Sequence, residues 1–335
     1  MRKYRVLALT DHILHTPENS VYALLRTMTC HEQCQCIDIA SRGNIANDSF
    51  FYDNDFDSLQ AIQVSELFDF DLGTKQFSIG TKTINPSNYD ILLLRLPRPL
   101  SDDFLKLLAH RFQNKIIIND PLGIIICSSK SFLLNFPEFC PPIELCKSIS
   151  DVIHFSKQHD LVLKPLTEYG GKGLLKITGD KLNDGNRDWA TTEYLKTIEE
   201  ELESDGYLAM RYLINVVNGD KRLLVVNGEI QAAALRLPAK GSWLCNVAKG
   251  GTAYPAEPTE REVEIINGIN PLLKKNGILI YGVDTLEDDD GNRVLSEINA
   301  MSIGGFAQAE KFTGKPVIKL TLDKIFEYAD SRNGY

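Results

Sequence analysis

The sequence predicts a mixed α/β (α+β) protein that begins with an open, parallel α/β sheet domain. Three patterns support this. Apolar strand-like runs alternate with helix-like segments from Tyr4 to Asn119, the rhythm of parallel strands joined by crossovers. Beyond Asp120-Pro121 the rhythm changes to strands joined by tight turns, with Asn227-Gly228 the strongest two-residue hairpin signal. The run Tyr89-Asp90-Ile91-Leu92-Leu93-Leu94-Arg95 is almost continuously apolar, as a strand buried on both faces must be.

Taken in order, Tyr4 to Thr10 reads as a strand, and Asn19 or Ser20 caps a helix through Val21 to Leu25. Cys36 to Ala40 is the second strand. Residues 41–89 read as irregular, with small strands over Lys75 to Ile79 and Thr81 to Ile84. The Tyr89 strand is followed by a helix that Ser101-Asp102-Asp103 starts and that runs to Arg111, then by a strand from Ile116 to Asn119. Ser128 to Leu134 reads as a helix start. Asp160 to Pro165 and Leu174 to Ile177 are strands flanking the loop Glu168-Tyr169-Gly170-Gly171-Lys172-Gly173. An amphipathic helix is expected over Trp189 to Glu203, then strands over Tyr207 to Leu213, Lys221 to Val226 and Glu229 to Arg236. Thr259 to Asn276 is a long helix stopped by Gly277. A hairpin of Ile280 to Leu286 and Val294 to Asn299 follows, then a glycine loop and a closing helix from Val317 to Asp330. The expected domains are 1–119, 120–210 and 211–335.

The 335 residues allow two or three lobes with real cores, and 43% hydrophobic with 24% charged residues is ordinary for a globular protein. A net charge of −9 without a compact basic patch argues against a nucleic-acid partner. No apolar run is long enough to span a membrane, and the N-terminus lacks a secretory signal's pattern. A cytoplasmic protein is expected. The odd count of seven cysteines reads as reduced thiols. Cys30, Cys34 and Cys36 match no zinc-knuckle spacing and read as a loop into a strand.

The chemistry concentrates in the C-terminal hairpin. Glu297 and Asn299 are two apart and share a strand face, which Asp284 on the neighbouring strand joins if the register allows. Two carboxylates and an amide oxygen make a hard site suited to Mg²⁺ between protein and phosphate oxygens; the same face also fits an exposed polar hairpin. The glycine loop lies between strands, so it is neither a Walker loop nor a dinucleotide fingerprint. It fits a mobile flap over phosphates, or a plain turn. Lys164 ends the strand before it, as a point cation for phosphate or as a surface lysine. Arg222 and Arg236 sit in apolar strand contexts and need partners, either a structural carboxylate or a transferring phosphoryl group. His12 and His15 follow the first strand and read as solvent-exposed loop residues.

Four segments, in order and spacing, resemble the bacterial glutathione synthetases, ATP-grasp ligases. They are Leu161-Val162-Leu163-Lys164-Pro165 with its glycine loop, Asn218 to Glu229 with its Asp-Lys-Arg strand, Asn246-Val247-Ala248-Lys249-Gly250-Gly251, and Gly282-Val283-Asp284 followed by Glu297-Ile298-Asn299. Leu92 to Pro99 also looks like that family. The resemblance implies an ATP-grasp fold behind a pre-ATP-grasp domain, with a central lid and a C-terminal catalytic subdomain. It implies Asp284, Glu297 and Asn299 on Mg²⁺ (Mn²⁺ as an alternative). Lys130 and Lys164 would contact ATP phosphates under Gly170, Gly171, Lys172 and Gly173. Met210, Arg211, Tyr212 and Leu213 would form the adenine hinge, with Asp220 on the ribose. Arg222, Arg236 and Asn246 would stabilise an acyl phosphate and the tetrahedral step, and Arg95, Gly250, Gly251, Ser302, Gly304 and Gly305 would line the substrate end.

The activity so implied is ligation of γ-glutamylcysteine and glycine to glutathione, through small peptide and amino-acid substrates, in a homo-oligomer. A ligase for another acceptor and a catalytically silent nucleotide-binding protein are the alternatives. The sequence departs from the family at Ala300-Met301-Ser302-Ile303-Gly304-Gly305-Phe306, where Ser, Thr and Pro are usual, and at Gly241-Ser242-Trp243-Leu244-Cys245. Both changes fall on the substrate wall.

Overall fold

The computed structural model describes residues 2–168, 170–239, 245 and 251–332. Three sheets organise the chain. The first contains β1 (Tyr4–Thr10), β2 (Cys34–Ser41), β3 (Leu59–Gln63), β4 (Lys82–Ile84), β5 (Ile91–Arg95) and β6 (Ile116–Ile118), in the order β4-β3-β2-β1-β5-β6. Strands β2, β1, β5 and β6 are parallel, and β3 and β4 add an antiparallel edge. Thr10 pairs with both Ser41 and Arg95, so three strands end together at one edge. Loops at that edge are where an open α/β sheet presents functional groups.

Residues 41–89 are more ordered than the sequence reading expects. They contain β3 and a helix over Phe70–Ile79, whose cap is the Asp69 carboxylate accepting from the Leu72 N–H. Lys75 to Ile79 is therefore helix, not strand. Gly73 and Phe77 are buried one helical turn apart, a period that alternation of so short a segment conceals.

The second sheet contains β7 (Ile143–Cys146), β8 (Leu161–Pro165), β9 (Leu175–Thr178), β10 (Lys181–Asn183), β11 (Asp188–Ala190) and β12 (Tyr207–Arg211), in the order β11-β10-β9-β8-β12-β7. The expected helix from Trp189 to Glu203 is broken into β11 and two short helices, Thr191–Thr197 and Glu199–Ser204. Trp189 pairs with Leu182 and donates its indole N–H to Asp184 (2.9 Å), which fixes this segment as a strand. Ser128 to Leu134 begins no α-helix: Lys130–Asn135 is a 3₁₀ segment. It follows a helix, Pro121–Cys127, that Asp120 caps through the amides of Leu122 and Gly123. Proline in the first turn after an aspartate is a start signal the sequence reading passed over.

The third sheet is antiparallel. It contains β13 (Asp220–Val226), β14 (Glu229–Leu237), β15 (Thr252–Ala256), β16 (Ile280–Glu287) and β17 (Arg293–Asn299), in the order β15-β14-β13-β16-β17. Asn227 and Gly228 both have positive φ, as the two-residue hairpin between β13 and β14 requires. A reciprocal capping box, Thr259 with Glu262, starts the helix Glu260–Lys275.

The C-terminal helices Phe306–Thr313 and Val317–Arg332 return to the first sheet. Phe306 and Phe326 share a core with Val6, Leu24 and Leu25, and Tyr4 donates to Asp330 (2.6 Å). Asn119 joins the end of β6 to the third sheet. Its amide nitrogen donates to the carbonyls of Ile280 (2.6 Å) and Ala300 (2.8 Å), and its oxygen accepts from Leu279 and Ile280. Among the described residues no helix is long and apolar enough to cross a membrane.

Candidate active site

Strand register gathers the hairpin carboxylates. Asp284 lies opposite Glu297 and Gly282 opposite Asn299, so Asp284, Glu297 and Asn299 share one face. On the other side of β16, Arg222 lies opposite Asp284, and on β14 Arg236 lies opposite Asp220. The result is a lattice of alternating charge. Arg222 grips Asp284 with Nε and Nη2, while Arg236 reaches Asp284 (3.0 Å) and Asp220. Burial alone pushes the Asp284 carboxyl up, but Arg222 and Arg236 outweigh it and hold it down at about 2. Asp220 moves the other way. Burial and the neighbouring Asp284 charge raise it more than Arg236 and Arg222 lower it. In the orientation that satisfies both its amide atoms, Asn299 donates to Glu297 (3.1 Å) and accepts from Arg222 (3.2 Å).

The donor set fits a hard divalent cation. Asp284 stays ionised, Glu297 adds a second carboxylate, and the Asn299 amide supplies a neutral oxygen on the same face. Among the described residues no three His, Cys, Asp or Glu side chains gather as a metal cage. An ion at this face would take its remaining oxygens from water or phosphate, which is how Mg²⁺ is usually held. Cys30, Cys34 and Cys36 form no such group either, and burial pushes the Cys34 thiol up to about 11.

Two cavities open on either side of Glu297. One, of about 90 Å³, lies between the second and third sheets. Its walls include Lys164, the run Met210 to Leu213, Asp220 and Asp284, with Val162, Leu174 and Val216 as apolar surface. Lys164 is buried and donates to the backbone (3.1 Å) and hydroxyl (3.2 Å) oxygens of Ser296. Burial lowers its pKa to about 8 against the pull of Glu297. Lys130 is lowered for the same reason, and its ammonium donates to the Glu168 carbonyl. Gly170, Gly171 and Gly173 all have positive φ, and the space around Gly170 is open. Lys172 is exposed beside Glu168.

The other cavity, of about 260 Å³, lies where the first sheet meets the loop after β17. It is lined by His15, Asn19, Arg95, Arg98, Met301 and Ser302, among others. Lys130, Glu168 and Glu297 belong to both walls. Arg95 is buried at the end of β5. Its Nη2 donates to the Ile303 carbonyl, its Nε has no hydrogen-bond partner, and burial lowers its pKa to about 10. Ser302 donates to the Arg95 carbonyl (3.2 Å), and the Gly305 N–H donates to Ser20 (3.1 Å).

The structure thus gathers the residues expected on hairpin, hinge and strand ends. Gly304, Gly305 and Gly251, expected at the substrate end, line neither cavity, and Gly251 directly precedes β15. Asn246 and Gly250 lie outside the described residues, as does 241–244. His15 is not an exposed loop histidine. It is half-buried in the second cavity, bonded to Thr10 (2.9 Å) and Tyr22 (2.7 Å). His12 is half-buried too, bonded to Ser41 (2.7 Å) and stacked on Phe77. Sequence reasoning missed Asn19 and Arg98 as wall residues, and Cys245, expected on the substrate wall, lines the smaller cavity instead. Arg98 stands in the quoted Leu92 to Pro99 run, so its signal was present.

Residues 129–314 match the model of the prokaryotic glutathione synthetase ATP-grasp domain. The chain is 30% identical over 268 residues to the glutathione synthetase of Agrobacterium fabrum, covering 78% of this chain and 80% of that one. It is 31% identical over 247 residues to that of Neisseria meningitidis serogroup A, covering 72% and 74%. Among solved structures, the D-cycloserine synthetase DcsG superposes with a TM-score of 0.66 at 12% identity, covering 97% and 99%. A RiPP-associated ATP-grasp ligase from Chryseobacterium gregarium superposes with a TM-score of 0.60 at 11% identity, covering 98% and 97%. These structural likenesses concern the fold.

Proposed function

The chain belongs to the prokaryotic glutathione synthetase family of ATP-grasp ligases, and on that premise we propose that it joins γ-glutamylcysteine to glycine. ATP is converted to ADP and phosphate, and the product is glutathione. ATP-dependent C–N bond formation is the family's reaction class. The observation that carries the proposal is the meeting of the two cavities at Lys130, Glu168 and Glu297. A nucleotide in the smaller cavity would point its terminal phosphate at a carboxylate in the larger one. That is the juxtaposition an acyl-phosphate route needs, because phosphoryl transfer is catalysed by positioning and charge rather than by a protein nucleophile.

We assign the roles as follows, those of Asn246 and Gly250 from the family resemblance alone. The amides of Arg211 and Tyr212 already donate to Pro142 (2.9 Å) and Asp160 (2.7 Å), so Leu213 is the hinge amide we assign to adenine, against Met210. Asp220 faces the ribose. Lys130 and Lys164 bind phosphate oxygens, with Gly170, Gly171, Lys172 and Gly173 as the flap. Asp284, Glu297 and Asn299 would hold Mg²⁺, which when bound neutralises phosphate charge. Arg222, Arg236 and Asn246 stabilise the acyl phosphate and the tetrahedral step. Arg95 and Ser302 form the substrate end, to which the family resemblance alone adds Gly250, Gly251, Gly304 and Gly305. A buried guanidinium whose Nε lacks a partner suits a substrate carboxylate. A cytoplasmic homo-oligomer completes the proposal, to be read by fractionation and sedimentation.

Met301 in the second cavity, within a loop that departs from the family, favours one further reading: a ligase of the same class with another acceptor. The test is mass spectrometry of products with ATP, Mg²⁺, γ-glutamylcysteine and glycine, following ADP in parallel. Glutathione formed in step with ADP supports the proposal. ADP released only with other carboxylate and amine pairs supports the second reading, and no ADP with any pair sinks both.

A further inference from the structure

The carbonyl of Arg95 is clamped from both lobes, by Ser302 (3.2 Å) and by the Thr10 hydroxyl (3.3 Å). A carbonyl only accepts, so in the arrangement that keeps both bonds to it the single Thr10 proton lies toward Arg95. Thr10 must then accept from His15, which places a proton on His15 Nε2 (2.9 Å). Nδ1 of a neutral imidazole is left as acceptor, and Tyr22 donates to it (2.7 Å). One directional chain therefore runs from Tyr22, on the helix Ser20–Thr29, through the His15 loop and the end of β1 to the end of β5. Thr10 and Tyr22 are buried, and Tyr22 stands edge-on to the imidazole at 5.3 Å. The chain ends on a residue whose side chain has little else to aim it. The Arg95 guanidinium donates to the Ile303 carbonyl, its Nε is unpartnered, and it has no carboxylate partner among the described residues.

We propose that His15 is a positioning residue that, through Thr10, fixes the end of β5 and so aims the Arg95 guanidinium into the acyl-donor cavity. The assignment rests on reading that cavity as the acyl-donor site. The imidazole's environment agrees with the required tautomer. Burial lowers its pKa to about 4, with His12 and Arg95 pushing the same way and Asp11 opposing them. Protonation would turn Nδ1 into a donor facing the Tyr22 hydroxyl and break the direction of the chain.

Two readouts on the full-length protein test this. The first needs no substrate: the ¹⁵N-resolved Arg95 Nε–H resonance, assigned with Arg95→Lys. It should move in His15→Leu, which fills the space without hydrogen bonds, and return toward its wild-type position in His15→Gln, which keeps a donor and an acceptor. The second is the KM-against-kcat split with γ-glutamylcysteine. His15→Leu should raise KM for that substrate by about tenfold or more, leave KM for ATP within twofold, and be rescued by His15→Gln. An unmoved Arg95 resonance overturns the proposal, as does a His15→Leu defect equal for ATP and acyl donor. If the wild type does not turn over γ-glutamylcysteine, the substrate assignment falls, while the resonance still decides whether His15 aims Arg95.

Discussion

Around the cavity under the glycine loop the cations are partnered within the protein. Lys164 donates to Ser296, Lys130 to Glu168, and Arg222 and Arg236 to Asp284 and Asp220. In the adjoining cavity Arg95 is buried with one carbonyl contact and an unpartnered Nε. The first arrangement is a charge lattice closed within the protein. On the proposed roles, a nucleotide and its cation would rearrange it, so charge exchange would accompany binding. The second leaves a guanidinium nitrogen unpartnered, which suits the substrate carboxylate proposed for it. The contrast separates the side proposed to handle polyphosphate from the side proposed to select the acid to be activated.

Glu297 belongs to both sides, and its loss should break the distinction. Glu297→Ala is expected to lower turnover by at least about 10³-fold, the order of effect when a charge is removed from a phosphoryl-transfer site. Steady-state ADP release checks it, and a near-normal rate would remove Glu297 from the site. Arg236→Ala sharpens the comparison. It should cost about 10²–10³-fold in kcat while ATP affinity changes little, since its charge is proposed to act on the developing acyl phosphate. Collapse of ATP binding in titration calorimetry would instead make Arg236 a ground-state contact.

A smaller effect is expected from pH. Lys164 has a pKa lowered to about 8 in the free protein, so above that pH its neutral form must take up a proton before it can meet phosphate. Metal-free ATP affinity should hold below pH 8 and fall by about tenfold per unit above it. Lys164→Arg, whose guanidinium does not titrate there, should flatten the fall; an equally steep profile would put the titration elsewhere. The smallest change expected is in Ser20→Ala. Ser20 accepts from the amides of Gly305 (3.1 Å) and Ala307 (3.4 Å), capping the helix Phe306–Thr313 from the other lobe. Its loss should lower stability by about 1 kcal/mol, read from the urea midpoint, with ATP affinity unchanged.

The same contrast explains what the sequence made legible. The phosphate side is assembled by strand register. Asp284, Glu297 and Asn299 follow from period-two geometry, and Arg222 and Arg236 from two apolar strands around an Asn-Gly turn. Local pattern therefore came close to the site. The larger cavity is assembled by tertiary contact between loops far apart in the chain: His15 and Asn19, Arg95 and Arg98, Met301 and Ser302. No local period links them. His15 was misread as exposed because its burial comes from Tyr22, one helix further on, and from Thr10 behind it. The errors in secondary structure share that cause. Lys75 to Ile79 and Trp189 to Glu203 are short or mixed segments whose state is decided by a cap at Asp69 and a cross-strand bond to Asp184.

The measurement that tests the account most directly is oxygen transfer between the two cavities. The enzyme would be run with ATP, Mg²⁺, glycine and γ-glutamylcysteine labelled with ¹⁸O in its cysteinyl carboxylate, and the released phosphate weighed by mass spectrometry. Activation of that carboxylate by the γ-phosphoryl group predicts one ¹⁸O in each phosphate formed with an amide bond. Amide formation with unlabelled phosphate would contradict it.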